Sequence, residues 1–135
     1  DYTYNFEFAH TLKQNGCQHF LLISALGASP KALVFYSRVK GLLEKDITAL
    51  DYPRLSIFRP SLLIGEREEN RLGENLSAAL FPIISPFLRG GLRAIQPIKG
   101  EDVAKSMFAV AQQEQPDDNP HFYYYDEMKA LTVTV

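Results

Sequence analysis

The chain has 135 residues, the size of one domain, and is read as a single, partial unit over 1–135. Its 46% hydrophobic and 22% charged residues allow a packed core, and a net charge of −2 without any long basic run offers no grip for a phosphate backbone, so no nucleic-acid partner is expected. One cysteine, Cys17, excludes an intrachain disulfide, and no apolar run approaches the roughly 18–20 residues that cross a bilayer, so no membrane span is expected either.

In chain order, the first element is a helix over residues 2–14. It has Phe6, Ala9, His10 and Lys13 at helical spacing, and Asn15-Gly16 as its stop. Residues 19–23, HFLLI, are a short apolar run of the kind expected in a strand buried on both faces, and it ends at Ser24. Gly27, Ser29 and Pro30 punctuate the loop that follows. Over residues 34–50, the recurrence of Phe35, Val39, Leu42, Leu43, Ile47 and Leu50 predicts an amphipathic helix. Residues 54–59, RLSIFR, read as a second buried strand halted by Pro60. A charged, glycine-containing loop is expected over 61–74 and a proline-broken helix over 75–88, with Gly90-Gly91 after it. A short extended piece, AIQPI, leads into a helix over 101–113, whose expected core stripe is Val103, Ala104, Met107, Phe108 and Ala111. A polar turn over 115–120, a strand over 121–125 and a short helix over 126–131 complete the series. Strands alternating with helices imply a parallel sheet covered on both faces. Three strands, however, make only part of a doubly wound sheet.

The chemistry-bearing residues sit on this frame. Tyr36 and Lys40 are four apart on one predicted helix, so they share a face. A free phenol titrates near pH ~10, too high for easy proton exchange at neutrality. A cation about 4 Å away stabilises a phenolate by roughly 4 kcal/mol at an effective dielectric near 20, which is how a tyrosine–lysine pair enters the general acid–base range. Ser24 lies at the carboxyl end of the preceding strand, where open parallel sheets bind ligands, and its hydroxyl can polarise a substrate oxygen. Tyr-x-x-x-Lys alone is a weak signal, since composition predicts about 0.36 matches by chance. Tyr125 and Lys129 form a second match, read as a decoy because no strand-terminal serine precedes it at the right distance. The specific pattern is strand-Ser24, twelve residues, helix-borne Tyr36 and Lys40, then strand-Arg59-Pro60.

The stretch HFLLISALGA…FYSRVKGLLEK…RLSIFRPSLLIG resembles the short-chain dehydrogenase/reductase superfamily. With ENRLGENL after the second strand, it is similar to that superfamily's atypical, Tat-interacting-protein-like oxidoreductase branch, from Asp1 to about Ala111. The resemblance implies the C-terminal half of a Rossmann-type α/β fold. It also implies NADP as cofactor, with NAD as the alternative, and a catalytic Ser24, Tyr36 and Lys40. Tyr36 and Lys40 would also contact the dinucleotide, the lysine through the ribose hydroxyls, and Pro60, Ser61, Leu62 and Leu63 would border the nicotinamide through backbone groups. The glycine-rich phosphate loop of the fold has no counterpart in these 135 residues, so the pyrophosphate end is expected upstream and the isolated piece is expected to self-associate.

The implied activity is hydride transfer to or from a small carbonyl or alcohol. A dinucleotide-sensing regulator with little turnover stands beside it, and a nucleotide-sugar epimerase or dehydratase is a further alternative. The expected partner is a small-molecule substrate, and a homodimer is an allowed state. Arg59 is read as pinning the strand end through a carboxylate. Arg67 and Arg71 are read as members of a solvated, salt-bridged loop, and the three histidines share no metal-ligand spacing. With one cysteine, and with no basic-then-apolar leader, the chain is expected in the cytoplasm.

Overall fold

The computed structural model describes residues 2–61, 63–64, 95–114 and 116–133. Helix α1 (Tyr2–Gln14) leads to strand β1 (His19–Ile23), helix α2 (Phe35–Thr48) and strand β2 (Arg54–Phe58). Two short strands follow, β3 (Leu63–Ile64) and β4 (Ile98–Lys99), then helix α3 (Gly100–Gln112), strand β5 (His121–Tyr123) and helix α4 (Tyr125–Thr132). The expected loop over 65–74, with Arg67 and Arg71, and the expected helix over 75–88 lie outside the described residues, as does Leu62.

Strands β1, β2 and β5 form one parallel sheet in that order, with Phe20 opposite Leu55 and Ile57 opposite Phe122. Side chains alternate across it, so each face feeds its own core. On one face Phe20, Leu22, Leu55 and Ile57 pack with Ala9 of α1, Leu43 and Ile47 of α2, and Tyr52. On the other, Phe58 and Tyr123 pack with Ile98, with Val103 and Val110 of α3, and with Met128 of α4. Helices thus cover both faces of a parallel sheet, the α/β, doubly wound arrangement of a partial Rossmann-type fold. Strands β3 and β4 make a separate parallel pair where the sequence predicts a loop and an extended segment, because two residues are too few to show a period.

Local chemistry explains where the elements stop. The α1 helix ends in a Schellman motif: the Cys17 amide donates to Leu12 O and the Gly16 amide to Lys13 O, with Gly16 at φ +84°. Arg54, at the start of β2, donates to Val110 O (2.8 Å) and Gln113 O (2.7 Å), supplying partners for the carbonyls at the α3 C-terminus. The Asn119 side chain accepts from the Leu55 amide (2.8 Å) and donates to Tyr52 O (2.9 Å), tying the segment before β5 to the start of β2.

Three expectations about packing need correction. Strand β1 is not buried on both faces: Phe20 and Leu22 are buried, His19 and Leu21 are half-buried and Ile23 is exposed. Phe35 and Leu42 of α2 are exposed, because the buried face is set by Gly41, Leu43, Glu44 and Ile47, and both residues stand on the opposite side of the helical wheel. In α3 the buried face is Val103, Ser106, Ala109 and Val110, which leaves Ala104, Phe108 and Ala111 exposed. Ser106 can be buried because its hydroxyl donates to Val103 O at 2.7 Å, so a polar residue occupies a position that an apolar count passes over.

Two histidines titrate in opposite directions in this frame. His19 contacts Ser56 Oγ at 2.9 Å, and burial, assisted by the Arg54 charge, lowers its pKa to about 4. Burial also works against protonated His121, but hydrogen bonds to Asp118 (2.5 Å) and Glu127 (3.0 Å) outweigh it and raise its pKa. The His121 contribution is therefore full below pH ~6.5 and fades as pH rises through its folded pKa. The His19 contribution has the other sign: it is full above pH ~6.5 and is lost as pH falls toward 4. Urea unfolding of His19→Gln is expected to show an acid loss between pH 7 and 5 about 1 kcal/mol smaller than in the parent, after allowance for solvent screening. Identical acid losses in the two proteins would show that His19 is not the group responsible.

Candidate active site

The site is built where β1 and β2 end. The Ser24 amide donates to Phe58 O at 2.7 Å, extending the strand pairing by one residue and holding Ser24 at the carboxyl edge of the sheet. The residue is only 3% exposed, and among the described residues its hydroxyl has no hydrogen-bond partner. Buried polar atoms are almost always satisfied, so this hydroxyl stands out at the strand end.

Helix α2 brings up the other two residues. Tyr36 lies in its first turn and is 55% exposed. The Lys40 ammonium stands over the Tyr36 ring, 5.8 Å from its centroid, and also reaches Ile23 O, the carbonyl just before Ser24, at 3.5 Å. Lys40 therefore links the phenol to the strand end, so the three residues singled out in the sequence converge at one edge of the sheet. The N-terminal end of the helix is open: Leu33 (97%), Val34 and Phe35 are exposed beside Tyr36.

The segment between Ser24 and α2 is tied on several sides. The Leu26 amide donates to Pro60 O (2.9 Å) and the Ser29 amide to Ser37 O (3.1 Å), while Arg38 reaches Ala32 O (3.2 Å). Gly41 lets this segment lie directly against the helix: a Cβ there would fall 2.1 Å from Ser29 C and 2.5 Å from Pro30 N. The signal for this in the sequence is the glycine in mid-helix, since a Gly inside a helical pattern often marks a close approach.

Arg59 pins the strand end through a carboxylate, as expected, and the partner is Glu44. Nε meets Oε1 at 2.9 Å and Nη2 meets Oε2 at 2.5 Å in a two-pronged pair, with Glu44 buried. Hydrogen bonding to Glu44 holds the Arg59 guanidinium above its ordinary range despite partial burial. Nη1 also donates to Tyr124 Oη (3.0 Å) and Nη2 to Ala28 O (3.4 Å), and the guanidinium lies 4.4 Å from the Phe122 ring centroid. Glu44 could have been noticed as the next position after Tyr36 and Lys40 in the i, i+4, i+8 series, a charge on the inner face of the helix.

The residues expected to border a nicotinamide are already engaged in part. Pro60 O accepts from Leu26, the Ser61 hydroxyl donates to Gln96 O at 2.5 Å, and Leu63 lies in β3 opposite Ile98. The second Tyr-x-x-x-Lys match is structural: Lys129 is bound to Asp102 at 2.7 Å, joining α4 to α3, and Tyr125 packs on the core. Among the described residues no group of three His, Cys, Asp or Glu side chains could hold a metal, and no helix is long and apolar enough to cross a membrane.

No protein-family model matches the chain. Among curated proteins it is 38% identical to "Protein FMP52-1, mitochondrial" of Scheffersomyces stipitis, over 98% of this chain and 58% of that protein. It is 33% identical to "Protein FMP52, mitochondrial" of Candida glabrata, over 97% of this chain and 58% of that one. It is 40% identical to rat "Protein HTATIP2" over 60% of this chain and 34% of the relative. These proteins are homologues, and the chain spans little more than half the length of the fungal ones. The expectation of a cytoplasmic chain is overturned, since the fungal relatives are named as mitochondrial. Cysteine count and the lack of an apolar span constrain redox state and membrane insertion, and neither distinguishes cytosol from mitochondrion.

Proposed function

We propose that the chain is the C-terminal, catalytic part of an atypical short-chain dehydrogenase/reductase that moves a hydride between NADP(H), or alternatively NAD(H), and a small carbonyl or alcohol. The observation that carries this reading is the buried, unpartnered Ser24 hydroxyl at the strand end that the Lys40 ammonium also reaches. Homology to FMP52 and HTATIP2 supports the nucleotide-binding part of the reading, and the fungal names support a mitochondrial location.

The residues present fit such a cofactor. Lys40 offers a cation and donors at the sheet edge, and Pro60, just past β2, holds the loop after Ser24 through its carbonyl. When bound, the dinucleotide supplies or accepts a hydride at nicotinamide C4. The chain's own part is acid–base work. In the reducing direction the Ser24 hydroxyl donates to the carbonyl oxygen, Tyr36 passes its phenolic proton to that oxygen, and the Lys40 ammonium beside the ring stabilises the phenolate left behind. In the oxidising direction the same proton returns to Tyr36.

A regulatory dinucleotide sensor remains the second reading, favoured by the half-exposed Tyr36: a phenol open to water lacks the dry surroundings in which a neighbouring charge acts strongly. Lys40→Met in the full-length protein tests the assignment. Titration calorimetry is expected to show NADPH affinity reduced about tenfold or more, equivalent to roughly 1.4 kcal/mol, because a ribose contact is lost. Unchanged affinity would remove Lys40 from the cofactor site.

A further inference from the structure

We infer that Arg59 and Glu44 act as a positioning pair, fixing the Ser24 segment against the helix that carries Tyr36 and Lys40. The inference rests on the oxidoreductase reading for its catalytic consequence. Its structural basis stands on the contacts alone.

The spacing between Ser24 and the Tyr36–Lys40 pair is set by two pieces of backbone from different elements. Ser24 belongs to the end of β1, and its loop runs over residues 25–33; Tyr36 and Lys40 belong to α2. Besides the seat of Ser29 and Pro30 against Gly41, the loop meets the helix through single hydrogen bonds near its open end, the Ser29 amide to Ser37 O and Arg38 to Ala32 O. Arg59 holds both pieces at once from below. It grips α2 through both oxygens of Glu44, one turn beyond Lys40, and the loop through Ala28 O. It is itself held in place by the hydrogen bond its backbone N–H donates to Tyr123 O, by Tyr124 Oη and by the Phe122 ring. A guanidinium has a planar fork of donors with fixed angles, so gripping a carboxylate with two prongs leaves its other N–H directions determined. Lysine would carry the charge without fixing those directions. A displacement of about 1 Å between reacting groups can cost ~10²-fold in rate, so such a brace acts on catalysis without touching substrate.

The test uses the full-length protein and two readouts. The first is native-state amide exchange. In the parent, the Leu26 and Ser29 amides are expected to be protected, and exchange at free-loop rates would overturn the inference without any variant. Arg59→Met alone strands a buried carboxylate and can fail to fold, so the Glu44→Met/Arg59→Met double variant, which removes both charges and keeps an apolar interior, is the decisive one. It is expected to bind NADPH within about threefold of the parent, to lose protection at Leu26 and Ser29, and to turn over about 10²-fold more slowly, a fall in kcat with little change in KM for the dinucleotide. Arg59→Lys is expected to restore the fold but not the rate. A folded double variant with parental exchange and kcat within twofold of the parent overturns the inference. Tyr36→Phe in the same assay separates the two levels. Equal turnover in parent and Tyr36→Phe would remove the phenol from the mechanism, and no NADPH-dependent turnover in the parent would end the oxidoreductase reading, while in either case the exchange data would still decide whether the brace exists.

Discussion

Replacing Tyr36 by phenylalanine in the full-length protein is expected to lower turnover by about 10²–10⁴-fold, the usual scale for removing a general acid or base, while leaving dinucleotide affinity nearly intact. Phenylalanine keeps the ring under the Lys40 ammonium and removes only the hydroxyl, so packing at the first turn of α2 is preserved. Because the residue is more than half exposed, little stability is at stake, and a loss of activity would not be a disguised loss of fold. Steady-state kinetics on a genuine carbonyl or alcohol, with binding followed by calorimetry, decide the matter. Parental kcat in Tyr36→Phe would take the phenol out of the mechanism.

Gly41→Ala carries the largest expected structural effect, and its sign is informative. Helix propensity alone predicts a gain of about 1 kcal/mol, since alanine is the best helix former and glycine among the poorest. The tertiary contact predicts the reverse. The new Cβ would sit 2.1 Å from Ser29 C, 2.4 Å from Ser29 Cα and 2.5 Å from Pro30 N, all backbone atoms that cannot rotate away. Either the loop or the helix must shift, at a typical overpacking cost of about 1–3 kcal/mol, and the hydrogen bond from Ser29 to Ser37 O is the first contact to go. We expect net destabilisation of up to about 2 kcal/mol in urea unfolding, after the propensity gain is subtracted. Gly100→Ala, at the first position of α3, is an unobstructed comparison: nothing lies within 4 Å of a Cβ there, so no steric loss is expected. A stabilised Gly41→Ala protein would mean that the loop does not lie against α2 as described.

Much of this frame was legible in the residues themselves. The α1 helix, β1 and the amphipathic α2 fall within a residue or two of where periodicity and the Asn15-Gly16 stop placed them, because each is decided by neighbours along the chain. Which way each helix turns its face was not legible. Leu42 and Phe108 are apolar and yet exposed, while Glu44 and Ser106 are polar and buried. Burial of a polar side chain depends on a partner, and these partners differ in kind: Ser106 finds its own helix's carbonyl three residues back, whereas Glu44 needs Arg59, fifteen residues away just past the end of β2. The gathering of Ser24, Tyr36 and Lys40 could be anticipated from strand–loop–helix spacing, since a parallel sheet sends its strand ends and the following helix starts to one edge. What holds that edge together could not. The seat of the loop in the notch at Gly41, the Arg54 contacts to the end of α3 and the Arg59 brace join residues from separate elements at distances that only the folded chain brings within reach. Local propensity and periodicity act over a few bonds and so are written in sequence. Close approach and charge pairing act through space, and the tertiary structure alone decided them.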